Sequence, residues 1–371
     1  MVKNSAIICE FNPLHNGHKA ILSHAAENSD AVIAIMSGNF TQRSECAVFD
    51  KYKRARLAVE MGADAVLELP FPWCCAGGEF FALGGVGVGA GLGLNNFIFG
   101  SETGDVDYVN RASKLTISSD TAENYPELGA AVLSDNFLES QGLRLSSNDK
   151  LAAEYMKAAN KLNHFSEFSA YKRMTDDVLY RSATDIRKMI YSGEDFSAFV
   201  PVEMLRICGK ISDVREGALE ELLFNQFRLN CLTTDGIFDA SGGVSERLVK
   251  SAAKSRSGSE FFETAATKKY TNSRLRRAAL FTLLGVRKAD LVSPPHFTVL
   301  LAANEKGRRF LGNTKKERRI HVLTKPSIFT PSDQAELRQY ELWCRADEVY
   351  SLCLRKTPPA GEYLRRSPSI L

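Results

Sequence analysis

The stretch "IICEFNPLHNGHKAIL" at residues 7–22 decides the fold, because an apolar run, a polar loop and a helix follow one another directly. The last five residues of this stretch begin the segment "HKAILSHAAENS" (18–29), which has the spacing of an amphipathic helix. His15 and His18 stand at the junction with Gly17 between them. A helix that begins at Gly17 or His18 presents unpaired N–H groups and a positive dipole end, so this junction suits a phosphate.

Strands and helices alternate through the first hundred residues. The helix at 51–62 has Asp50 as its N-cap and Gly62 as its stop. Continuous apolar strands separated by helices indicate a parallel sheet covered on both faces, whose ligands bind at the carboxyl ends of the strands. Buried strands are predicted at 6–9, 31–36, 65–69 and 96–100.

The chain divides into two predicted domains. An α/β domain with a parallel sheet is expected at 1–205, closed by helices at 148–162 and 182–193. A mainly α-helical, basic domain is expected at 206–371. Within it, 286–322 mixes short possible strands with charge runs, and helical patterns recur at 214–228, 243–254, 272–285 and 332–355.

Composition excludes several classes of protein. The 371 residues carry a net charge of +3, and no apolar run reaches the roughly 18 residues that span a bilayer. We therefore expect a cytoplasmic chain with no membrane partner. The eight cysteines are scattered without a C-x-x-C pair, so they predict neither a disulfide framework nor a zinc site, and we expect buried thiols and no metal held by the protein.

The residues that follow the predicted strands are the candidate site. His15 and His18 point imidazole donors at one anion, where negative charge develops during phosphoryl or nucleotidyl transfer. Arg43 lies in the loop after the second strand and offers a bidentate guanidinium to a phosphate or carboxylate. Arg187 follows "SAT" at a helix start, which is either a second phosphate clamp or a plain capped helix.

The "FGSETGD" segment (99–105) ends a further strand in a tight turn. Gly100 and Ser101 in this turn admit an adenine or a ribose, while Glu102 and Asp105 are candidates for ribose hydroxyls or a metal. The glycine-rich tract at 84–93 never completes G-x-G-x-x-G and precedes its strand, so it predicts a small-residue helix or turn packed on the sheet. The sequence has no G-x-x-x-x-G-K-[ST], which excludes a Walker-type site.

Basic residues concentrate late in the chain, in "TKKYTNSRLRRAAL" (267–280) and "NEKGRRFLGNTKKERRIH" (304–321). Cations neutralise backbone phosphates, and the interleaved Tyr270 and Phe310 can stack on unpaired bases. RNA, and not DNA, is therefore a reasonable partner, although charge runs are more often solvated faces.

Longer strings carry a family resemblance. In chain order these are "IICEFNPLHNGH", "MSGNFTQRSECAVFDKYKRARLA", "GADAVLELPF", "FIFGSETGD", "SATDIRKMI" and "KKYTNSRLRR". H-x-G-H with a downstream "SATDIR" resembles the nucleotidyltransferase superfamily. The full set is similar to the bacterial tRNA(Met) cytidine acetate ligases, over a region from residue 6 to about 325.

The resemblance implies an ATP-dependent ligase that adenylates acetate, releases pyrophosphate and transfers the acetyl group to N4 of the wobble cytidine of elongator tRNA(Met), which gives N4-acetylcytidine. It implies Mg²⁺ on the phosphates and catalytic roles for His15, His18 and Arg43. The candidate ATP contacts, taken from the resemblance and from the residues that follow the strands, are Ile8, Cys9, Glu10, Phe11, Asn12, Pro13, Leu14, His15, Asn16, Gly17, His18, Gly100, Ser101, Asn148, Arg173 and Arg187. The implied RNA contacts are Lys268, Lys269, Arg274, Arg276 and Arg277.

Two other functions stay open from the sequence. One is an adenylyltransferase that acts on a small phosphorylated metabolite, as other H-x-G-H proteins do. The other is a tRNA-binding protein with a decayed nucleotide site, because Ser44 and Cys46 replace a glycine and a proline of the family pattern. If that glycine serves a positive φ, Ser44 costs about 1 kcal/mol.

Overall fold

The structure is a computed structural model that describes residues 3–115, 130–173, 180–229 and 234–371. Eight strands in these ranges form one sheet in the order β5-β4-β1-β2-β3-β6-β7, with β8 beside β6. They are β1 (Asn4–Cys9), β2 (Ala31–Ser37), β3 (Ala65–Leu69), β4 (Asn96–Ser101), β5 (Glu167–Lys172), β6 (Phe297–Ala303), β7 (His321–Leu323) and β8 (Ser369–Ile370).

Helices connect and cover these strands. They are α1 (Asn16–Glu27), α2 (Lys51–Glu60), α3 (Gly78–Gly91), α4 (Val106–Ser113), α5 (Ala130–Ser140), α6 (Ser147–Lys161), α7 (Ala183–Ser192), α8 (Val202–Ile207), α9 (Ala218–Arg228), α10 (Val244–Lys254), α11 (Gly258–Ala265), α12 (Asn272–Leu284), α13 (Glu305–Asn313), α14 (Gln334–Cys353) and α15 (Glu362–Arg365).

The predicted α/β class is confirmed. Strands β1 to β5 are parallel, with β1 between β2 and β4, so the chain winds outward in both directions from β1. Ligands of such sheets bind where the strand order changes direction. The carboxyl end of β1, which continues into the histidine loop, is therefore at the expected position for a site.

Local signals fixed α2 and α3 as predicted. Asp50 caps α2 by accepting the N–H groups of Tyr52 and Lys53 at 2.8 and 3.1 Å. The glycine tract lies within α3, where an added Cβ at Gly84 would sit 2.5 Å from the Cβ of Trp73. A small-residue helix is thus required because its neighbours pack directly against the backbone.

The sheet also extends beyond residue 205. Strand β6 is fully buried and pairs antiparallel with β3, and β7 and β8 pair with β6. Helices α9, α10, α12 and α14 agree with the predicted helical patterns, but the late half also completes the sheet of the first half. The boundary at residue 205 stays a prediction.

A buried ionic cluster joins the two ends of the chain. The Lys51 ammonium on α2 lies 2.9 Å from Glu68 on β3 and 2.6 Å from Asp347 on α14. The Trp343 indole donates to Glu68 at 3.0 Å, and the Asn39 amide donates to Asp347 at 2.9 Å. Every charged atom of the cluster therefore has a partner, as burial requires.

Two carboxylates in this cluster share one ammonium. Burial raises the pKa of Glu68 to about 7 and also raises the pKa of Asp347, against the lowering effect of Lys51. Because the pKa of Glu68 in the folded protein exceeds its ordinary value of 4.5, folding takes up a proton between those two pH values.

This uptake predicts a pH-dependent stability. The contribution of Glu68 to the free energy of unfolding is fully present below about pH 4.5 and is lost as the pH rises through about 7. Urea denaturation from pH 5 to 8.5 should show this fall in the wild type and a much flatter dependence in Glu68→Gln. Glu305→Gln is the control, because Glu305 is 84% exposed. Equal slopes in all three proteins would contradict the assignment.

Candidate active site

A cavity of about 370 Å³ opens at the carboxyl ends of β1, β4 and β5. It has walls from the histidine loop, the loop after β2 and the first turns of α6 and α7. The lining residues are Ile7, Ile8, Cys9, Glu10, Phe11, Asn12, His15, Gly17, His18, Ile21, Thr41, Gln42, Arg43, Glu45, Phe81, Phe99, Gly100, Ser147, Asn148, Leu151, Tyr155, Tyr171, Arg173, Ser182, Ala183, Thr184 and Arg187.

The two histidines begin α1. His15 is the N-cap, and its Nδ1 accepts the Gly17 N–H at 3.1 Å. The His15 N–H lies 3.4 Å from Nδ1 of His18, and the two rings stack with centroids 3.8 Å apart. Because Nδ1 of His15 is an acceptor, a neutral His15 carries its proton on Nε2, which leaves Nε2–H as its donor.

Both imidazoles are neutral at physiological pH. Burial lowers the pKa of His15 to about 4, and the neighbouring Arg173 lowers it further. Burial, followed by the charges of His15 and Arg173, holds the pKa of His18 well below its usual range, although a hydrogen bond with the Pro13 carbonyl opposes the shift. The pair therefore acts through hydrogen bonds, and the positive charge of the site comes from arginines.

Gly17 is required by close packing. A Cβ at this position would lie 2.9 Å from a ring carbon of Tyr180 and 3.1 Å from Cε1 of His15. Any larger residue must displace one of those rings. Gly17 thus preserves both the orientation of His15 and the opening of the cavity beside α1.

A polar network surrounds the end of β4. Glu102 accepts from Arg173 at 3.1 Å and from the Asn148 amide at 2.6 Å. Asp105 caps α4 by accepting the Tyr108 N–H. The suggestion that Glu102 and Asp105 serve a ribose or a metal is not supported, because neither lines the cavity and both are engaged. Glu102 orients Arg173 and Asn148, which do line the cavity, whereas Asp105 serves the start of α4.

The arginines of the cavity differ in their partners. Arg187 donates to the Asn12 carbonyl at 2.9 Å and lies 3.7 Å from Glu45. Arg43 is exposed and has no ion-pair or hydrogen-bond partner within the ranges that the structure describes. An unpaired guanidinium beside a cavity is available to an anionic ligand.

Most predicted nucleotide contacts meet at this cavity, but four do not line it. The Leu14 side chain is in the core, and the Asn16 amide donates to the Ala198 carbonyl at 3.0 Å. Ser101 is buried and donates to Asp149 at 2.5 Å. Pro13 follows the cavity residue Asn12 and is buried. Their assignment as ligand contacts stays a prediction.

Sequence reasoning missed one side of the cavity. Leu151 and Tyr155 on α6 line it together with Asn148, because residues at i, i+3 and i+7 share one helix face. That spacing is visible in the sequence once Asn148 is placed. Thr41, Phe81, Phe99 and Tyr171 carry no comparable signal, because only the packed structure brings them to the wall.

Two of the five predicted RNA contacts form ion pairs within the protein. Arg276 on α12 pairs with Glu45 at 3.0 Å and with Glu220 at 3.2 Å, and Arg277 pairs with Asp239. The segment therefore contacts the cavity loop through Glu45. The remaining three predicted contacts are Lys268, Lys269 and Arg274. Binding of RNA by this segment stays a prediction.

Among the described cysteines, Cys9 lines the cavity and the others do not. The seven cysteines in the described ranges are unpaired and buried or partly buried, whereas Cys231 lies outside those ranges. The described residues include no group of three or more His, Cys, Asp or Glu side chains that could hold a metal ion. Within the same ranges, none of the helices has both the length and the apolar character needed to cross a membrane.

Comparisons with known proteins agree along the whole chain. The HIGH Nucleotidyl Transferase family model matches residues 2–362. A tRNA(Met) cytidine acetate ligase of Lactobacillus delbrueckii subsp. bulgaricus is 32% identical over 343 residues, 86% of this chain and 88% of the relative. A tRNA(Met) cytidine acetate ligase of Clostridium perfringens is 30% identical over 404 residues, 97% of this chain and 98% of the relative. The resemblance seen in the sequence is confirmed.

A solved structure extends the likeness to three dimensions. Thermotoga maritima TmcAL bound with alpha-thio ATP superposes with a TM-score of 0.88 at 28% sequence identity, and the match covers 100% of both chains. The apo form of the same protein gives a TM-score of 0.89. The cavity therefore lies in a fold that holds an ATP analogue in that neighbour.

The loop that carries Arg43 contains a strained residue. Ser44 has a φ of +57°, and its side chain is buried with Oγ donating to the Cys75 carbonyl at 3.2 Å. The condition raised from the sequence is met, because the backbone at this position has a positive φ. The hydrogen bond to Cys75 partly offsets the strain of holding a serine at positive φ.

A pair of variants separates the strain from the hydrogen bond. Ser44→Ala and Ser44→Gly both remove the bond to Cys75, so their difference reports the backbone alone. We expect Ser44→Gly to be more stable than Ser44→Ala by about 1 kcal/mol in urea denaturation. At the exposed mid-helix Ser23 the order should reverse, because glycine weakens a helix by about 1 kcal/mol relative to alanine. The same order at both positions would rule out strain at Ser44.

Proposed function

The chain belongs to the HIGH nucleotidyl transferase family and groups with its tRNA(Met) cytidine acetate ligases, and from this premise we propose that it joins acetate to elongator tRNA(Met) at the expense of ATP. The observation that carries the proposal is the stacked His15–His18 pair at the start of α1, facing a cavity beside the unpaired Arg43. The product is N4-acetylcytidine at the wobble position, and the reaction takes place in the cytoplasm.

The first step forms acetyl-adenylate. An acetate oxygen attacks the α-phosphorus of ATP, and pyrophosphate departs with the electrons of the broken P–O bond. Nε2–H of His15 and the positive end of the α1 dipole stabilise the negative charge on the phosphate oxygens, and His18, which hydrogen-bonds the Pro13 carbonyl, holds the stacked His15 ring in place. The Arg43 guanidinium is free to bind the departing pyrophosphate, because no acidic partner holds it in the described ranges.

Magnesium would accompany the nucleotide. Mg²⁺ neutralises phosphate charge and is bound mainly by phosphate oxygens and water in such sites. The acidic side chains that line the cavity are Glu10 and Glu45, which agrees with an ion held chiefly by the nucleotide.

The second step transfers the acetyl group to RNA. The mixed anhydride is reactive, so it needs a cavity that excludes water until the cytidine arrives. The cavity opens beside α12, whose Arg276 contacts Glu45 in the cavity wall. We place the tRNA on this side, with Lys268, Lys269 and Arg274 among its phosphate contacts.

The position of Gly17 predicts a loss of ATP affinity on substitution. In Gly17→Ala the new Cβ displaces the His15 or Tyr180 ring. We expect calorimetry to show ATP bound about tenfold more weakly, which corresponds to about 1.4 kcal/mol. Gly312→Ala is the control, because a Cβ at Gly312 on α13 meets nothing within 4 Å. If both variants bind ATP as the wild type does, Gly17 does not shape the site.

A direct assay tests the proposed reaction. The protein is incubated with Mg-ATP, labelled acetate and elongator tRNA(Met), and digested RNA is examined for N4-acetylcytidine. We expect product with the wild type, none with tRNA that has uridine at the wobble position, and at least about a hundredfold less with His18→Ala. Absence of acetylcytidine from the wild-type reaction would refute acetate ligation.

A further inference from the structure

Glu10 is the residue of the cavity that the proposed mechanism leaves without a role. It follows the last residue of β1, and its Oε1 accepts the Gln42 N–H at 2.7 Å. The Arg54 guanidinium holds the backbone of the same residue by donating to its carbonyl at 2.6 Å. Within the described ranges, Oε2 has no hydrogen-bond or ion-pair partner. The carboxylate is thus fixed at one oxygen and open to the cavity at the other.

A carboxylate is a poor choice for binding a polyphosphate, because its charge repels the ligand. Burial has the largest effect on the pKa of Glu10 and raises it overall. The charges of Arg187 and Arg54 lower this pKa, whereas the charge of Glu45 raises it. Tyr155 lies on the same wall, and burial raises the pKa of its hydroxyl well above the usual range. The hydroxyl of Tyr155 is therefore protonated and does not compete with Glu10 for a proton at neutral pH.

We propose that Glu10 is the general base of acetyl transfer, accepting a proton from the cytidine amino group through Oε2. This role rests on the proposed function. The N4 lone pair forms the new C–N bond at the acetyl carbon, and the bond from that carbon to the AMP oxygen breaks with its electrons leaving on AMP. The N4 proton moves to Glu10, which returns it to water after product release.

The geometry suits this step better than ground-state binding. The backbone N–H of Gln42 orients the Glu10 carboxylate. The Gln42 side chain and Arg43 lie on the same loop, which lines the cavity. General base catalysis contributes about 10² to 10⁴-fold to rate when the group is positioned at the proton it accepts. Glu45 serves as the comparison, because it lines the same cavity but both of its oxygens face arginines.

The experiment isolates the transfer step. Enzyme is loaded with Mg-ATP, labelled acetate and pyrophosphatase, the bound acetyl-adenylate is quantified, and tRNA is added for a single turnover between pH 5.5 and 8.5. Rates are expressed per loaded enzyme, so a change in nucleotide binding does not enter. We expect wild-type transfer to rise with pH and then level off, and Glu10→Gln to transfer at least about a hundredfold more slowly without that rise. Glu45→Gln should keep the rise.

Each outcome decides between distinct claims. Failure of the wild type to form acetyl-adenylate or acetylcytidine would refute the proposed function itself. Normal loading with equal transfer rates and equal pH profiles for wild type and Glu10→Gln would overturn the role of Glu10 alone. Recovery of Glu10→Gln at raised Mg²⁺ would also overturn it, since Glu10 would then be a magnesium ligand. Unchanged thermal melting of Glu10→Gln excludes misfolding as the cause of slow transfer.

Discussion

The rest of the structure depends on one buried ammonium. Lys51 is inaccessible to solvent and contacts Glu68 and Asp347, which come from β3 and from α14 near the end of the chain. Removing one member of such a cluster leaves a buried charge uncompensated, which typically costs about 3–5 kcal/mol. The penalty makes the docking of α14 on the sheet a condition of folding.

The same constraint reaches the cavity at the carboxyl end of β1 through short connections. The Asn39 side chain accepts the backbone N–H of Lys51 at 3.0 Å and donates to Asp347. These two bonds hold the start of the loop after β2 in place. Arg54, one turn along α2 from Lys51, is also buried and donates to the carbonyls of Glu10 and Ser37. Buried cations on α2 thus hold both loops that line the cavity, and these loops present Glu10 and Arg43.

Local chemistry explains why the sequence predicted the first half of the fold well. The β1 strand, the Asp50 cap and the start of α1 each depend on residues within one or two turns, and the structure has them within about two residues of their predicted bounds. The apolar run of β6 is also a local signal. Its pairing with β3, however, joins residues more than 200 positions apart, and no sequence pattern encodes that contact. The same holds for the contact of Lys51 with Asp347, 296 residues apart.

The candidate site shows the same division. H-x-G-H placed His15 and His18 correctly, because a cap and a first turn are local, but their neutral state follows from burial and from Arg173, which only the fold supplies. Glu102 looked available in the sequence and is instead shared by Arg173 and Asn148. Composition alone cannot distinguish a free carboxylate from an engaged one.

The ion pairs of Glu45 change how the basic late segment relates to the catalytic cavity. Arg187 at the cavity and Arg276 on α12 face opposite oxygens of this one carboxylate. A phosphate bound at Arg276 would compete with Glu45, and any release of Glu45 would alter the field at Arg187. The sequence suggested a basic RNA surface separate from the nucleotide site. In the folded protein the basic segment and the cavity share the charged residue Glu45, so an anion bound at either place would change the electrostatic field at the other.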